Sequence, residues 1–240
     1  MTAPETGSIW RSSLFAAGQV GFTVVYALLS LLTYPLPYGA RYRFITSWSR
    51  LNLWWLKLTC GLSYQVEGLE NLPARPAIVL AKHQSTLETL IFQGIFPPQT
   101  WLLKRELLRI PFFGWGLALL EPIAIDRSAG RAALRQFLET GQERLEAGRW
   151  VIVFPEGTRV PPGQTGRYAA GGAALAAHSG CPVLPVAHNA GLYWPRHGFI
   201  KRPGTVRVVI GPVIETAGLS AADINRRARD WIERTARALL

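Results

Sequence analysis

Residues 77–88 read AIVLAKHQSTLE, and the change of character half-way along them decides the fold. Ala77 to Ala81 is a short, wholly apolar run rich in branched side chains, the pattern of a strand buried on both faces, as in parallel sheets covered by helices on each side. Lys82 and His83 then stand where the chain leaves the strand. Ser85-x-x-Glu88 opens a helical pattern as a capping box, with Ser85 as N-cap and Glu88 in the first turn. Strand-like runs recur at Trp101–Leu103, Ile123–Ile125, Trp150–Phe154 (WVIVF), Val183–Ala187 and Val206–Ile210 (VRVVI). Between them, Ala129–Ala147 sets Leu134, Phe137, Leu138 and Leu145 at helical spacing and stops at Gly148, and Ser220–Leu239 begins with Ser220 and Asp223 as a second cap. This alternation predicts an α/β domain with a largely parallel or mixed sheet flanked by helices.

The first sixty residues have another character. Leu14–Leu32 (LFAAGQVGFTVVYALLSLL) runs 19 residues without a charge. As a helix it reaches roughly 28 Å, close to the ~30 Å of a bilayer's hydrocarbon. Its flanks speak against a cleaved leader: only Arg11 is basic on the near side, and Tyr34-Pro35-Leu36-Pro37 offers no small-residue cleavage site. Arg41, Arg43, Arg50 and Lys57 follow it, which by the positive-inside rule puts the bulk of the chain on the cytoplasmic side. Phe44–Leu62 mixes Trp48, Trp54, Trp55 and several leucines with cations, as in a helix lying at a membrane interface or in a core helix with a few exposed cations. The expected organisation is a membrane-associated helical pair over residues 1–62, an α/β domain over 63–240, and one Pro-rich linker around Tyr34–Tyr38.

Composition narrows the function classes. Apolar residues make up 49% and charged residues 17% of the chain, too greasy a mix for a disordered or purely solvated protein. The net charge of +11 attracts anionic bilayers, nucleic acid, phosphorylated substrates and acidic carrier proteins alike. The long apolar segment argues against nucleic acid. Cys60 and Cys181 form no Cys-x-x-Cys or Cys/His cluster, so neither a disulfide framework nor a metal site is expected.

In α/β sheets functional groups gather where strands end. On a continuous helix His83 and Glu88 would point about 500° apart, but a bend at Ser85 lets them meet. Ser85-x-x-Glu88 alone reads equally as a simple cap. Phe154-Pro155-Glu156-Gly157-Thr158-Arg159 supplies a glycine turn, a hydroxyl, a carboxylate and a guanidinium suited to gripping a phosphate; alone it reads as a surface turn with a Glu156–Arg159 ion pair. His178, His188 and His197 read as structural or surface groups, with His188 the best reserve because it follows a strand. Arg196, Lys201 and Arg202 read as a solvated or headgroup-facing patch.

Taken together, these motifs resemble the glycerolipid acyltransferases, in particular the 1-acyl-glycerol-3-phosphate (lysophosphatidate) acyltransferases. The resemblance rests on His83 with Glu88, on Lys104 through Leu107 or Leu108 to Pro111 and Gly114, on the whole of Phe154–Arg159, and on Val183-Leu184-Pro185-Val186, in order over Ala77–Asn189. Glu88 stands where most of the family has Asp; it keeps the charge and adds a methylene. Lys-His-Gln-Ser followed by Glu occurs in a bacterial branch.

The resemblance implies direct acyl transfer to the sn-2 hydroxyl of lysophosphatidic acid, giving phosphatidic acid. His83 would be the general base and Glu88 its orienting partner. Lys104 and Arg159 would hold the substrate phosphate, with Glu156, Gly157 and Thr158 forming that loop. No cofactor or metal is expected, only an acyl-carrier protein or acyl-CoA as co-substrate, with membrane lipids as partners at a bacterial inner (cytoplasmic) membrane. The competing readings are acylation of another lysolipid, such as a lyso-ornithine lipid, and lipid hydrolysis, although no G-x-S-x-G elbow occurs.

Overall fold

The computed structural model describes residues 6–240. Its strands are β1 (Leu62–Glu67), β2 (Ile78–Ala81), β3 (Gln99–Lys104), β4 (Ile123–Ile125), β5 (Trp150–Val153), β6 (Val183–His188) and β7 (Gly204–Ile210). Among the described residues they form one seven-stranded sheet in the order β1-β7-β6-β2-β5-β3-β4. Every neighbouring pair is parallel except β6 with β7, where Val186 faces Ile210 antiparallel, so the sheet is mixed.

The strands flanking β2 explain its sequence. Each residue of β2, β5 and β6 is buried, and the two-residue period splits their side chains between two cores. Val79 and Ala81 face one core with Leu184 and Phe92, while Ile78 and Leu80 face the other with Val151, Phe137, Leu175 and Ile232. The first core is roofed by α1 (Ile9–Leu31), α2 (Tyr38–Cys60) and α3 (Leu87–Ile95). The second is roofed by α5 (Arg131–Glu146), α6 (Gly171–Ser179) and α8 (Ala221–Ala238). Two short helices, α4 (Phe113–Ala118) and α7 (Ala190–Tyr193), complete the layers.

Strand β1 is absent from the sequence expectation. Its residues, LSYQVE, are largely polar and half-exposed because it is an edge strand paired only with β7. The expected strand at Trp150–Phe154 ends at Val153, which frees Phe154 for the site.

Helices α1 and α2 form an antiparallel hairpin. At Gly18 they pack so closely that an added Cβ would lie 2.1 Å from Trp55 Nε1. Only a glycine admits that indole there, and Trp55 Nε1 donates to Leu14 O at 3.3 Å. Helix α1 begins earlier than its uncharged core, at Ile9 after Ser8 as N-cap, and α2 begins at Tyr38 and closes with Gly61 in the left-handed region. Among the described residues α1 is the one helix long and apolar enough to cross a membrane. Trp10, Leu14, Val20, Val25 and Leu28 are exposed on its outer side.

The hairpin's inner side is tied to the α/β domain. Phe15 is fully buried and meets Trp194 edge-on at 5.5 Å. Lys201 donates its backbone N–H to Ser12 Oγ at 2.9 Å, and its ammonium lies 4.6 Å from the Trp194 ring and 5.2 Å from that of Phe15. Lys201 is 5% exposed, which corrects its assignment to a solvated patch: its charge is held by aromatic faces.

Candidate active site

The chain leaves β2 through Lys82 and His83 and turns into α3 within four residues. At that turn Glu88 Oε1 collects three N–H groups: His83 Nδ1 at 2.8 Å, the backbone of Gln84 at 3.0 Å and that of Ser85 at 2.9 Å. Ser85 Oγ in return accepts from the backbone N–H of Leu87 at 3.1 Å. The N-cap is Thr86, one residue later than the expected Ser85, yet the Ser85 and Glu88 side chains still bond the helix start, so the carboxylate there also orients the imidazole.

Glu88 is fully buried. Burial alone would raise its pKa, but the nearby imidazole of His188, the hydrogen bond and charge of His83 and the N–H of Ser85 bring the pKa below the ordinary carboxylate value. With an ionised acceptor at Oε1, Nδ1 of His83 carries the proton and Nε2 is left with a free lone pair. The His83 ring lies flat on Phe154 at 4.0 Å, which restricts its rotation, and 18% of its side chain is accessible.

That accessible edge faces a cavity of about 450 Å³. Its lining includes His83, Thr86, Lys104, Gly157, Thr158 and Arg159, together with residues of α1, α2, α3 and α4 such as Ala27, Ile45, Leu90 and Leu117. Gly157 adopts φ of 65° at the turn after β5, a conformation that favours glycine, and its N–H donates to Phe154 O at 3.0 Å. Arg159 Nη1 donates to Thr86 Oγ1 at 2.9 Å, and its backbone carbonyl receives Arg196 Nη1 at 3.1 Å. A base, three cationic side chains (Lys104, Arg159 and Arg196) and many apolar groups thus line one cavity.

The family model described as Acyltransferase matches residues 63–189. The chain belongs to the acyltransferase family. It is 51% identical over 230 residues, 94% of this chain and 90% of the relative, to a 1-acyl-sn-glycerol-3-phosphate acyltransferase of Pseudomonas aeruginosa. A Saccharomyces cerevisiae protein of the same name is 34% identical over 66% of this chain and 54% of its own length. Among solved structures, the 1-acyl-sn-glycerophosphate (LPA) acyltransferase PlsC from Thermotoga maritima superposes with a TM-score of 0.80 at 26% identity, covering 96% of this chain and 95% of that one.

Within this acyltransferase the residues singled out from sequence separate into two groups. His83, Lys104, Gly157, Thr158 and Arg159 line the cavity, with Glu88 behind His83. Glu156 turns the other way: its side chain is fully buried, Oε1 pairs with Lys82 Nζ at 2.7 Å and accepts Gly166 N–H at 2.9 Å, and Oε2 accepts the His83 N–H at 3.2 Å. A carboxylate so saturated supports the loop and offers no donor to a phosphate, and the surface Glu156–Arg159 pair does not form. His188 is fully buried, with Nδ1 accepting from Ala190 N–H at 3.2 Å and Nε2 donating to Lys82 O at 2.8 Å. Both nitrogens are engaged, so it offers nothing to a substrate; burial lowers its basicity below the ordinary histidine value.

The sequence pattern leaves Glu233 and Thr86 unassigned, places Lys82 beside the base without its partners, and assigns Arg196 to a solvated or headgroup-facing patch, whereas Arg196 lines the cavity. The pairing of Lys82 with Glu233 spans 151 positions, beyond any local pattern. One signal existed: Glu233 sits next to Ile232 on the buried stripe Ile224, Ala228, Ile232 and Ala236, where an unpaired acid would be costly.

Proposed function

We propose that this chain transfers a fatty acyl group from an acyl thioester, of acyl-carrier protein or CoA, to the sn-2 hydroxyl of lysophosphatidic acid, giving phosphatidic acid. The observation that carries the reading is the Nδ1–Glu88 hydrogen bond at 2.8 Å, which leaves Nε2 of His83 bare in a cavity lined by cationic and apolar residues. The names of the relatives support the acceptor.

Nε2 takes the proton of the acceptor hydroxyl as its oxygen attacks the thioester carbon, and Glu88 stabilises the imidazolium. Collapse of the tetrahedral adduct breaks the C–S bond, and the imidazolium returns the proton to the departing thiolate. No acyl-enzyme forms. Lys104 and Arg159 hold the acceptor's phosphate, and the apolar lining of the cavity takes an acyl chain.

The outer face of α1 seats the enzyme in lipid. The cations of α2 support a location on the cytoplasmic face of a bacterial inner membrane.

An acceptor screen with purified protein and labelled acyl thioester tests this. Label should pass to lysophosphatidic acid and not to a phosphate-free lysolipid such as lyso-ornithine lipid. Release of free acid without an acceptor would mean hydrolysis, and preference for the phosphate-free lipid would remove the role given to Arg159 and Lys104.

A further inference from the structure

Behind the catalytic turn lies a buried polar cluster that the steps above do not use. Lys82 is 1% exposed, and its three donors all find acceptors: Glu156 Oε1 and Glu233 Oε1, each at 2.7 Å, and Gln164 O at 2.9 Å. Glu233 comes from α8 and is itself saturated, since Oε1 also accepts from Tyr168 Oη at 2.7 Å and Oε2 from Thr165 Oγ1 at 2.6 Å. Burial pushes the Glu233 carboxyl up, but the bonds from Lys82, Thr165 and Tyr168 bring it below the ordinary carboxylate value.

Two features separate this cluster from an ordinary structural ion pair. First, its far end is the catalytic backbone: Glu156 Oε2 accepts the His83 N–H at 3.2 Å, while the His83 carbonyl accepts from Val160 N–H at 2.8 Å. The peptide of the base is therefore held from both sides by the loop that Glu156 anchors. Second, inside the cluster two carboxylates face one ammonium, with Arg229, Arg234 and Arg237 on the outer side of Glu233. Buried ion pairs are seldom more stabilising than well-packed apolar groups, so the cluster's placement calls for a reason other than stability.

We propose that Glu233 is a positioning residue for acyl transfer, acting through Lys82 and Glu156 to fix the backbone of His83 and to favour its protonated form when the acceptor is attacked. The proposal rests on His83 as the base. It brings the C-terminal helix into the reaction although no part of Glu233 lines the catalytic cavity.

Glu233→Gln tests it with little change of shape. The amide oxygen can still accept from Lys82 and Tyr168 and the amide nitrogen can donate to Thr165, so the bonds remain while the charge goes. The other ionisable groups are left in place: Glu88, His188, Lys104, Arg159 and Arg196 around His83, and Lys82, Glu156, Tyr168, Arg167, Arg229, Asp230, Arg234 and Arg237 around Glu233. We expect kcat to fall about tenfold, with KM for both substrates within about twofold. The acid limb of the kcat/KM profile, below which the base is protonated, should move about half a unit to lower pH, because a nearby negative charge has been removed.

A wild-type kcat with an unmoved acid limb overturns the proposal, and so does a reduced kcat whose acid limb stays in place while the melting temperature drops, since that marks a purely structural role. If Glu233→Gln does not fold, Tyr168→Phe removes a donor to the same oxygen without touching Lys82. It should lower kcat about two- to threefold and, because the Glu233 charge stays while a donor that partly neutralises it goes, move the acid limb slightly to higher pH; a wild-type profile there refutes the idea. Loss of turnover in His83→Ala with unaltered Glu233→Gln would sink this proposal alone, whereas full turnover in His83→Ala would sink the reading it rests on.

Discussion

Replacing Glu88 by Gln removes the charge that the transfer step uses while leaving nearly the same atoms in place. The amide oxygen can keep the N–H groups of Gln84 and Ser85, which now reach Glu88 Oε1 at 3.0 and 2.9 Å, so the start of α3 should survive. What disappears is the attraction between a carboxylate and the imidazolium that forms when His83 accepts a proton. With Nδ1 and Oε1 2.8 Å apart, the charge centres lie about 4 Å from each other, and an effective dielectric of about 20 gives roughly 4 kcal/mol. At about 1.4 kcal/mol per tenfold, that is a loss of nearly a thousandfold in kcat. KM should change little, because Glu88 is fully buried and does not line the cavity. The assay is steady-state transfer of labelled acyl groups to lysophosphatidic acid, with a thermal melt to show that the variant is folded. Glu88→Asp separates charge from reach: it keeps the carboxylate but withdraws it by about one carbon–carbon bond, so its kcat should lie between the two. A folded Glu88→Gln enzyme within tenfold of the parent kcat would refute the reasoning, since it would mean that the imidazolium needs no buried counter-charge.

Arg159→Ala should raise KM for the acceptor by about 10- to 100-fold with a smaller change in kcat, and Arg159→Lys should rescue it poorly, because a point charge does not replace a planar fork; initial rates over acceptor concentration decide. Stability should fall on acidification in two stages. His188, less basic than usual when folded, lets the unfolded chain bind the extra proton below about pH 6.5, and Glu88 and Glu233, more acidic than usual, lose their contributions below about pH 4.5. Melts from pH 8 to 4 check this: the first stage should be absent in a folded His188→Gln variant, and its persistence there would disprove the assignment. Val20→Glu on the exposed side of α1 should weaken sedimentation with anionic vesicles without altering the fold, and unchanged sedimentation would deny α1 its role in lipid.

How much of this was legible in the sequence follows from how local each determinant is. The central strands declared themselves because burial on both faces leaves an unbroken apolar run, as in Ala77–Ala81 and Trp150–Val153. Edge strand β1 did not, since one partner and half-exposure leave room for Ser63, Gln65 and Glu67. His83 and Glu88 could be paired because five positions and a capping residue bring them together in one turn. The F-P-E-G-T-R motif groups Glu156 with Gly157, Thr158 and Arg159 at the phosphate, but only the latter three line the cavity; the turn at Gly157, with φ of 65°, separates them from an acid that points inward. Lys82 looked like one more cation beside the base, and its burial depends on Glu233, which only the three-dimensional packing of α8 brings near. Lys201 was read as solvated for the same reason: its aromatic surroundings come from α1 and from residues 194–199.

The central claim is that the bare Nε2 of His83 removes the proton of a lipid hydroxyl. Turnover by His83→Ala, with labelled acyl thioester and lysophosphatidic acid presented in vesicles to which the variant is shown to bind, tests it most directly. The account predicts a loss of at least about a thousandfold with binding to the vesicles retained; turnover within tenfold of the parent enzyme would contradict it.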